Sequence, residues 1–588
     1  MASHGRYDSY SFLLPIEYNP IFYRIHKPNL WLTAKKFSRK EIIHLALLLK
    51  NDYVNQSFDK ILLLLSDDNW WKRYTYYNLY DYVSRHQRQN TTYCVCFNQT
   101  IIELLRYSFS IPPSNHSMNE FNKYSLELEI VKAIALLNEE TVKYKAKEKS
   151  NLSELLLVGL GSNKEIQQFN FQEEFIYQAN LCSNFFKYLT TQEKYKDLYQ
   201  SFLDVFKISD WREYAVTLLS LATMSHYRAG KLTLDQKHDP DHLINKEIVS
   251  KIAIDYDSAV IPYSSKNIFD KNGNSDYRVF RDKPLIKINS KEYIMYFDGF
   301  VLNRLYSSLY FDFKRLADKM KKKHINTCNL FTEEFVEKTV LCSLLNNICK
   351  DKVLSMSEDL CRSQYKIDQS DLGYPDYLIQ DSSRNSVIVF ECKDIRINGW
   401  IKEQKDVELL KAELRNKLQL KEWKLDYENQ KKVKLKKPRR IGTGQLAGHC
   451  ANIRNRRFKW GDNVLQNAKV YPVLVISDDR FIISGLPQLL QDMYQEQLIY
   501  EGVKLSSLNR PLIILSPLCL LKYKDRFKRN GFIYYFERYF ESIDFKGKDY
   551  LDVINTQITF DEYMSQYPYQ LNDVFEDLKN DVLSYHRQ

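Results

Sequence analysis

The chain of 588 residues has 44% hydrophobic and 14% aromatic residues, which excludes a disordered polymer and gives length for about two to four domains. Its 16 Gly and 15 Pro are about half the usual share, so collagen-like, linker-dominated and turn-dense all-β chains are excluded and a helix-rich α/β fold is expected. The net charge is +11, from 85 Lys+Arg and 74 Asp+Glu, and all of the excess falls between Glu391 and Trp460, where 20 basic residues face 9 acidic ones.

Met1–Tyr7 lacks the basic-then-apolar pattern of a signal peptide. The longest apolar runs, Ile42–Leu49 and Leu512–Leu521, fall short of the ~18 residues of a membrane span, so a soluble, cytoplasmic protein with no membrane partner is expected. Ser38-Arg39-Lys40-Glu41 is a capping box leading into Ile42, Ile43, Leu45 and Leu48 at helical spacing. Tyr124–Lys145 and Gln172–Leu189 carry the same periodicity, and Asp210-Trp211-Arg212-Glu213 opens a helix that can end at Gly230. Ten cysteines are scattered, and Cys94 and Cys96 have no second pair at zinc-ligand spacing, so buried free thiols are expected rather than disulfides or a zinc module. Gly159-Leu160-Gly161 lacks the third glycine of a dinucleotide fingerprint and no phosphate-binding GxxxxGK[ST] occurs, so the chain shows no ATPase of its own.

The sequence divides into a mostly helical domain of unknown function over 1–235, a linker over 236–275, a mixed α/β domain over 276–530 with a basic insertion at about 400–440, and an acidic helical extension over 531–588. The linker is read from the turn formers His238-Asp239-Pro240-Asp241-His242 and Asp270–Asn274; His238, Asp239, Asp241 and His242 could on paper also bind a metal. In the third segment Tyr293–Phe297 reads as a strand, Thr332–Asn347 as an amphipathic helix and Asp376–Lys393 as a hairpin. A long basic helical stretch follows, then the buried strands Val470–Ile476 and Pro511–Leu515.

The hairpin carries the chemistry. Strand formers Tyr377–Gln380 and Val387–Glu391 flank the turn formers Asp381–Ser386, and a symmetric register sets Gln380 opposite Val387, Leu378 opposite Val389 and Asp376 opposite Glu391. Lys393 falls on the same face as Glu391. Paired carboxylates at the end of an apolar hairpin call for a cation between them, and oxygen ligands open to water suit Mg²⁺ or Mn²⁺. The bland alternative is a surface cross-strand salt bridge.

Pro375-Asp376 with Glu391-Cys392-Lys393 resembles the core motif of the PD-(D/E)xK nuclease superfamily. The resemblance implies a restriction-endonuclease-like α/β core, a mixed central sheet flanked by helices, in which Asp376, Glu391 and the Cys392 main-chain carbonyl hold the metal and Lys393 acts on the attacking water. It also implies an acidic residue from a preceding helix. Glu337 lies three, four and seven residues before Val340, Leu341 and Leu344, at the edge of the apolar face, while Glu333 and Glu334 are ordinary first-turn acids behind a Thr332 cap; Glu337 is favoured, with Glu334 second. Gln445 resembles the glutamine that many members carry on a helix after the lysine strand.

The basic block, Lys431, Lys432, Lys434, Lys436, Lys437, Arg439, Arg440, Arg454, Arg456 and Arg457, is an electrostatic footprint for phosphate backbones. Trp423, Tyr427, Phe458 and Trp460 are interleaved with it at a spacing that would suit base stacking. The expectation is a Mg²⁺- or Mn²⁺-dependent endonuclease acting on nucleic acid, DNA first, with defence against foreign DNA suggested by the resemblance, alone or with a homo-oligomeric, ATPase or sensor partner. The second reading is a non-catalytic nucleic-acid-binding or scaffold subunit that uses the same block.

Overall fold

A computed structural model of the chain describes residues 12–15, 38–54, 56–65, 70–86, 91–110, 123–142, 170–234, 243–261, 278–320, 325–349, 354–364, 373–395, 397, 401, 406–426, 431–455, 467–478, 481–504, 506–543 and 557–582. The Gly159–Gly161 segment, the 238–242 and 270–274 turns, Tyr427, Arg456, Arg457, Phe458 and Trp460 lie outside the described residues. The chain divides into two compact units, one of Met1–Tyr144, Glu165–Phe175 and Phe206–Leu305, the other of Lys145–Lys164, Ile176–Val205 and Tyr306–Gln588.

The first unit begins with strand β1 (Phe12–Pro15), which pairs in parallel with β2 (Thr91–Cys94). Helix Arg39–Asp52 starts where the Ser38 hydroxyl accepts the Glu41 N–H and the Glu41 carboxylate accepts the Ser38 N–H. Asp210 and Glu213 cap helix Trp211–Tyr227 in the same way. That helix ends in a turn at Gly230, whose φ is +84°. A Cβ there would stand 2.4 Å from the Met295 carbonyl, so the position admits only glycine.

A four-stranded sheet follows, β3 (Lys231–Thr233), β4 (Ala253–Asp255), β5 (Leu285–Lys287) and β6 (Glu292–Met295), in the order β3-β6-β5-β4. Residues 243–261, within the expected linker at 236–275, are therefore part of a folded unit. Asn245 caps helix Lys246–Lys251 through the Glu247 and Ile248 N–H groups, and Ile248, Val249, Ile252 and Ile254 are buried. The apolar pattern of this segment is short and flanked by polar turns, which hid it.

The second unit is built on a five-stranded mixed sheet in the order β13-β12-β9-β8-β7. Helix α1 enters as Thr327–Asn329, continues as a π-wound stretch over Leu330–Leu341 and ends as Cys342–Cys349. Asn326 caps it, and Thr332 instead donates its hydroxyl to the Cys328 carbonyl within the helix. Strands β7 (Leu354–Ser357), β8 (Tyr377–Asp381) and β9 (Ser386–Lys393) run antiparallel in turn. Helix α2 (Val407–Leu418), the hairpin of β10 (Leu420–Asp426) and β11 (Lys431–Arg440), and helix α3 (Thr443–Arg454) lead to β12 (Lys469–Ile476), parallel to β9. Helix α4 (Leu486–Tyr500) precedes β13 (Ile513–Leu515), which closes the sheet parallel to β12.

The basic stretch expected to be helical is a helix only through α2 and then a β-hairpin. Val433 and Leu435 alternate with Lys432, Lys434 and Lys436, a period of two that the density of lysine obscured. One sheet face is dry. Leu378, Val387, Val389, Val470, Leu474, Ile476 and Ile514 pack with Leu446, Ala447 and Cys450 of α3 and Leu490, Met493 and Tyr494 of α4. The described parts of the C-terminal extension are folded as well. Phe532 of helix Phe532–Ile543 stacks with Phe527 and with Phe536, and Phe536 meets Phe560 edge-on.

Helix α3 starts against the end of α2. The Thr443 hydroxyl donates to the Leu418 carbonyl, the Ile441 N–H donates to the Gln419 carbonyl, and a Cβ on Gly444 would stand 2.2 Å from that same carbonyl oxygen. Gly444→Ala is expected to cost about 1–3 kcal/mol by overpacking against main chain, read as a lower thermal-unfolding midpoint with an unchanged circular dichroism spectrum below it.

Candidate active site

The register of the β8–β9 hairpin is Gln380 opposite Val387, Leu378 opposite Val389 and Tyr377 opposite Phe390. It is the symmetric register read from the sequence, and pairing stops one residue short of Asp376. Strand alternation puts Val387, Val389, Glu391 and Lys393 on one face. Val387 and Val389 pack with α3, so Glu391 is carried into the same layer, where it is fully buried. Asp376, half-buried at the mouth of β8, turns its carboxylate onto β9, and the Cys392 N–H donates to Asp376 Oδ2 at 2.6 Å.

Lys393 Nζ lies 2.8 Å from Glu391 Oε1, and His449 Nε2, from α3, lies 3.7 Å from Glu391 Oε2. The second distance is too long for a hydrogen bond. Among the described residues Glu391 Oε2 and both ring nitrogens of His449 lack a hydrogen-bond partner. Three such buried polar atoms at one spot is a dense cluster of unmet polar demand for a protein interior.

Charge is as uneven as hydrogen bonding. Burial pushes the Asp376 carboxyl well above the usual carboxylate range, and the Glu391 charge pushes it further. Burial raises Glu337 to about 7, with Lys393 opposing the shift and Glu391 adding to it. For Glu391 burial acts upward too, but Lys393 and His449 outweigh it and hold the carboxyl below its ordinary value. Burial alone would lower Lys393, yet Glu391, Asp376 and Glu337 together hold its ammonium above the usual lysine range. Three carboxyls thus share one ammonium. Among the described residues no three His, Cys, Asp or Glu side chains are gathered at the spacing of a formed metal site, and Lys393 is the cation in direct contact with Glu391.

The fold separates the two helix acids. Glu334 is bound by Lys194 at 2.8 Å, by the Tyr188 hydroxyl at 2.9 Å and by the Tyr195 hydroxyl at 3.0 Å, and is fully employed there. Glu337 shares the electrostatic field of Asp376, Glu391 and Lys393. The π winding matters here, because the Glu337 carbonyl accepts from the Cys342 N–H five residues on, and such wide turns are frequent at functional sites.

Other expected residues are apart from this cluster or otherwise engaged. Gln445 is on α3, and its side-chain oxygen accepts the Gly442 N–H as part of the helix cap. Arg454 bonds the Asn509 side chain and the Ala468 and Leu508 carbonyls, a structural duty at the start of β12. Arg440 pairs with Glu501 at 2.6 Å. Lys432, Lys434, Lys436, Lys437 and Arg439 are exposed on β11, as a strand rather than a helical face, and for Lys431 only the backbone is described. Sequence reading passed over His449. Its signal was position, one helical turn after Gln445 and set among Ala447, Gly448 and Ala451, whose small side chains let α3 approach the sheet. Comparison with protein-family models, with curated proteins and with solved structures gives no match.

Glu337 titrates near 7 in the folded chain and at about 4.3 unfolded. The stability it contributes is therefore full below about pH 4 and is lost as pH rises through about 7. Glu337→Gln, neutral throughout, is expected to gain on the wild type between pH 5 and pH 8 in EDTA, by about 1–2 kcal/mol after allowance for solvent screening. Thermal unfolding at the two pH values measures it, and an equal difference at both would remove Glu337 from this cluster.

Proposed function

We propose that the chain is a metal-dependent nuclease that hydrolyses phosphodiester bonds in nucleic acid, with DNA as the leading substrate, on a restriction-endonuclease-like core. The observation that carries this reading is the fully buried Glu391 carboxylate, which meets Lys393 through one oxygen and has no hydrogen-bond donor on the other among the described residues, beside Asp376 and Glu337. Three carboxyls around one ammonium, two of them held well above or near the top of their range, are charged to receive a further cation.

Asp376, Glu391, Glu337 and the Cys392 carbonyl are the oxygen donors that would hold Mg²⁺ or Mn²⁺. A bound divalent ion would supply Lewis-acid stabilisation of charge developing on a phosphate oxygen. Lys393, held protonated by its carboxylate neighbours, would orient the attacking water. Glu391 fixes that ammonium at 2.8 Å, and the Cys392 N–H fixes the Asp376 carboxylate, so both acids are preorganised by the hairpin itself. A role in defence against foreign DNA follows the same family resemblance.

Purified protein incubated with supercoiled plasmid, linear duplex, single-stranded DNA and RNA, in Mg²⁺, Mn²⁺ or EDTA, tests the reading. Metal-dependent product is expected, reduced on the order of 10²-fold or more by Asp376→Asn and by Glu391→Gln, both of which keep side-chain size. Absence of product with every metal and substrate, with salt-sensitive binding retained, would instead make the chain a non-catalytic nucleic-acid-binding subunit. Lys393→Ala is the less clean variant, because it leaves a buried carboxylate without its cation, and a stability loss of about 3–5 kcal/mol is expected in chemical denaturation.

A further inference from the structure

We infer that the β10–β11 hairpin is a rigid arm that grips B-form duplex DNA by lying along a groove, its lysine row tracking one phosphate strand. The inference rests on the reading of the Glu391 site as a nuclease and names the form of its substrate.

The arm is a two-stranded sheet separate from the central one. Seven of the ten residues of β11 are Lys or Arg. Lys432 and Lys434 project on one face of the regularly paired part and are exposed; Lys436 is exposed too, beyond a register shift that leaves Leu435 to Pro438 without ladder partners. Alternate residues of a strand repeat at about 6.7 Å, close to the ~7 Å between neighbouring phosphates along one DNA strand, so Lys432 and Lys434 fall in step with two successive phosphates. A two-stranded ribbon is also the width that the B-DNA major groove admits, whereas the major groove of A-form RNA is too narrow to enter.

Two features argue against a single strand. Single strands are held by open aromatic faces on which bases stack. Trp423, the aromatic residue among the described residues of the arm, is half-buried, and the Lys432 ammonium covers its ring at 4.2 Å from the centroid. The arm is also stiff at its root. The Asn416 side chain of α2 accepts the Glu422 and Trp423 N–H groups and donates to the Trp423 carbonyl. On the returning strand, at the same end, Arg440 lies opposite Leu420 and is held by Glu501, and Gly442, with φ of +54°, leaves no room for a Cβ beside the Leu418 carbonyl. A set of cations held on a fixed ribbon suits a fixed row of phosphates rather than a flexible chain.

The arm runs straight into α3, which carries His449 to Glu391. A duplex held on the arm is therefore indexed to the helix that faces the carboxylate cluster.

The test is fluorescence anisotropy of the full chain in EDTA with labelled duplex DNA, duplex RNA and single-stranded DNA of one sequence, over a series of salt concentrations. Duplex DNA is expected to bind about tenfold or more tighter than the other two. Replacing Lys432, Lys434 and Lys436 together by alanine is expected to lower the slope of log affinity against log salt for duplex DNA by about 2.7, from about 0.9 per phosphate contact. Replacing them together by arginine is expected to keep it. An unchanged slope in the alanine variant, or an equal loss on single-stranded DNA, would overturn the arm. Because EDTA binding is read apart from cleavage, a slope that falls as expected in a chain that never cleaves plasmid would sink the nuclease and leave the arm standing. Metal-dependent cleavage with an unaffected slope would do the reverse.

Discussion

A carboxylate with no solvent exposure in the middle of a sheet is the constraint around which the second unit is arranged. Full desolvation of Glu391 costs several kcal/mol unless a cation meets it, and the sheet supplies one from two residues further along the same strand. That solution works only if β9 is flanked on both sides, by β8 and by β12, and if the helix above it is slender enough to close the layer. The run of Gly444, Ala447, Gly448 and Ala451 along α3 meets the last condition. The same closeness brings a histidine ring within 3.7 Å of the second carboxylate oxygen.

Helix α3 thereby joins three duties that would otherwise be separate. Its first turn is locked against α2 by glycine contacts with main chain, its middle presents His449 to Glu391, and its last residue, Arg454, ties it to the carbonyls of Ala468 and Leu508 beside β12. A helix fastened at both ends has little freedom to shift relative to the sheet, and preorganised charge of this kind is what a phosphate-handling site requires.

Much of the second unit could be read from residue pattern alone, and the reasons are local. The β8–β9 register follows from a polar turn between two runs of strand formers, information contained in eighteen consecutive residues from Asp376 to Lys393. Capping boxes at Ser38 and Asp210 are equally local. What failed was long-range or masked by composition. The short elements of the 243–261 segment gain their stability from a sheet whose neighbouring strand, β5, lies some thirty residues further along the chain, and lysine-rich β11 looks helical until its period is counted. Glu337 and Glu334 share one helix, and only tertiary contacts separate them, since Tyr188, Lys194 and Tyr195 come from more than a hundred residues away. His449 was passed over for the same reason: its small neighbours mark a close-packed helix, but nothing around it says which strand it will face.

The order of the central strands also bears on how the protein is made. β9 and its parallel neighbour β12 are separated by the whole of α2, the basic arm and α3. During synthesis the β8–β9 hairpin can close at once, but the far edge of β9, with Val387, Ile388, Val389 and Phe390, has no partner until Ile476 has left the ribosome, on the order of 5–15 s later. An apolar strand edge open for that long is a template for mispairing between nascent chains. Slowing initiation or lowering temperature during expression therefore favours the soluble product, and a fragment that ends before β12 keeps that edge exposed for good.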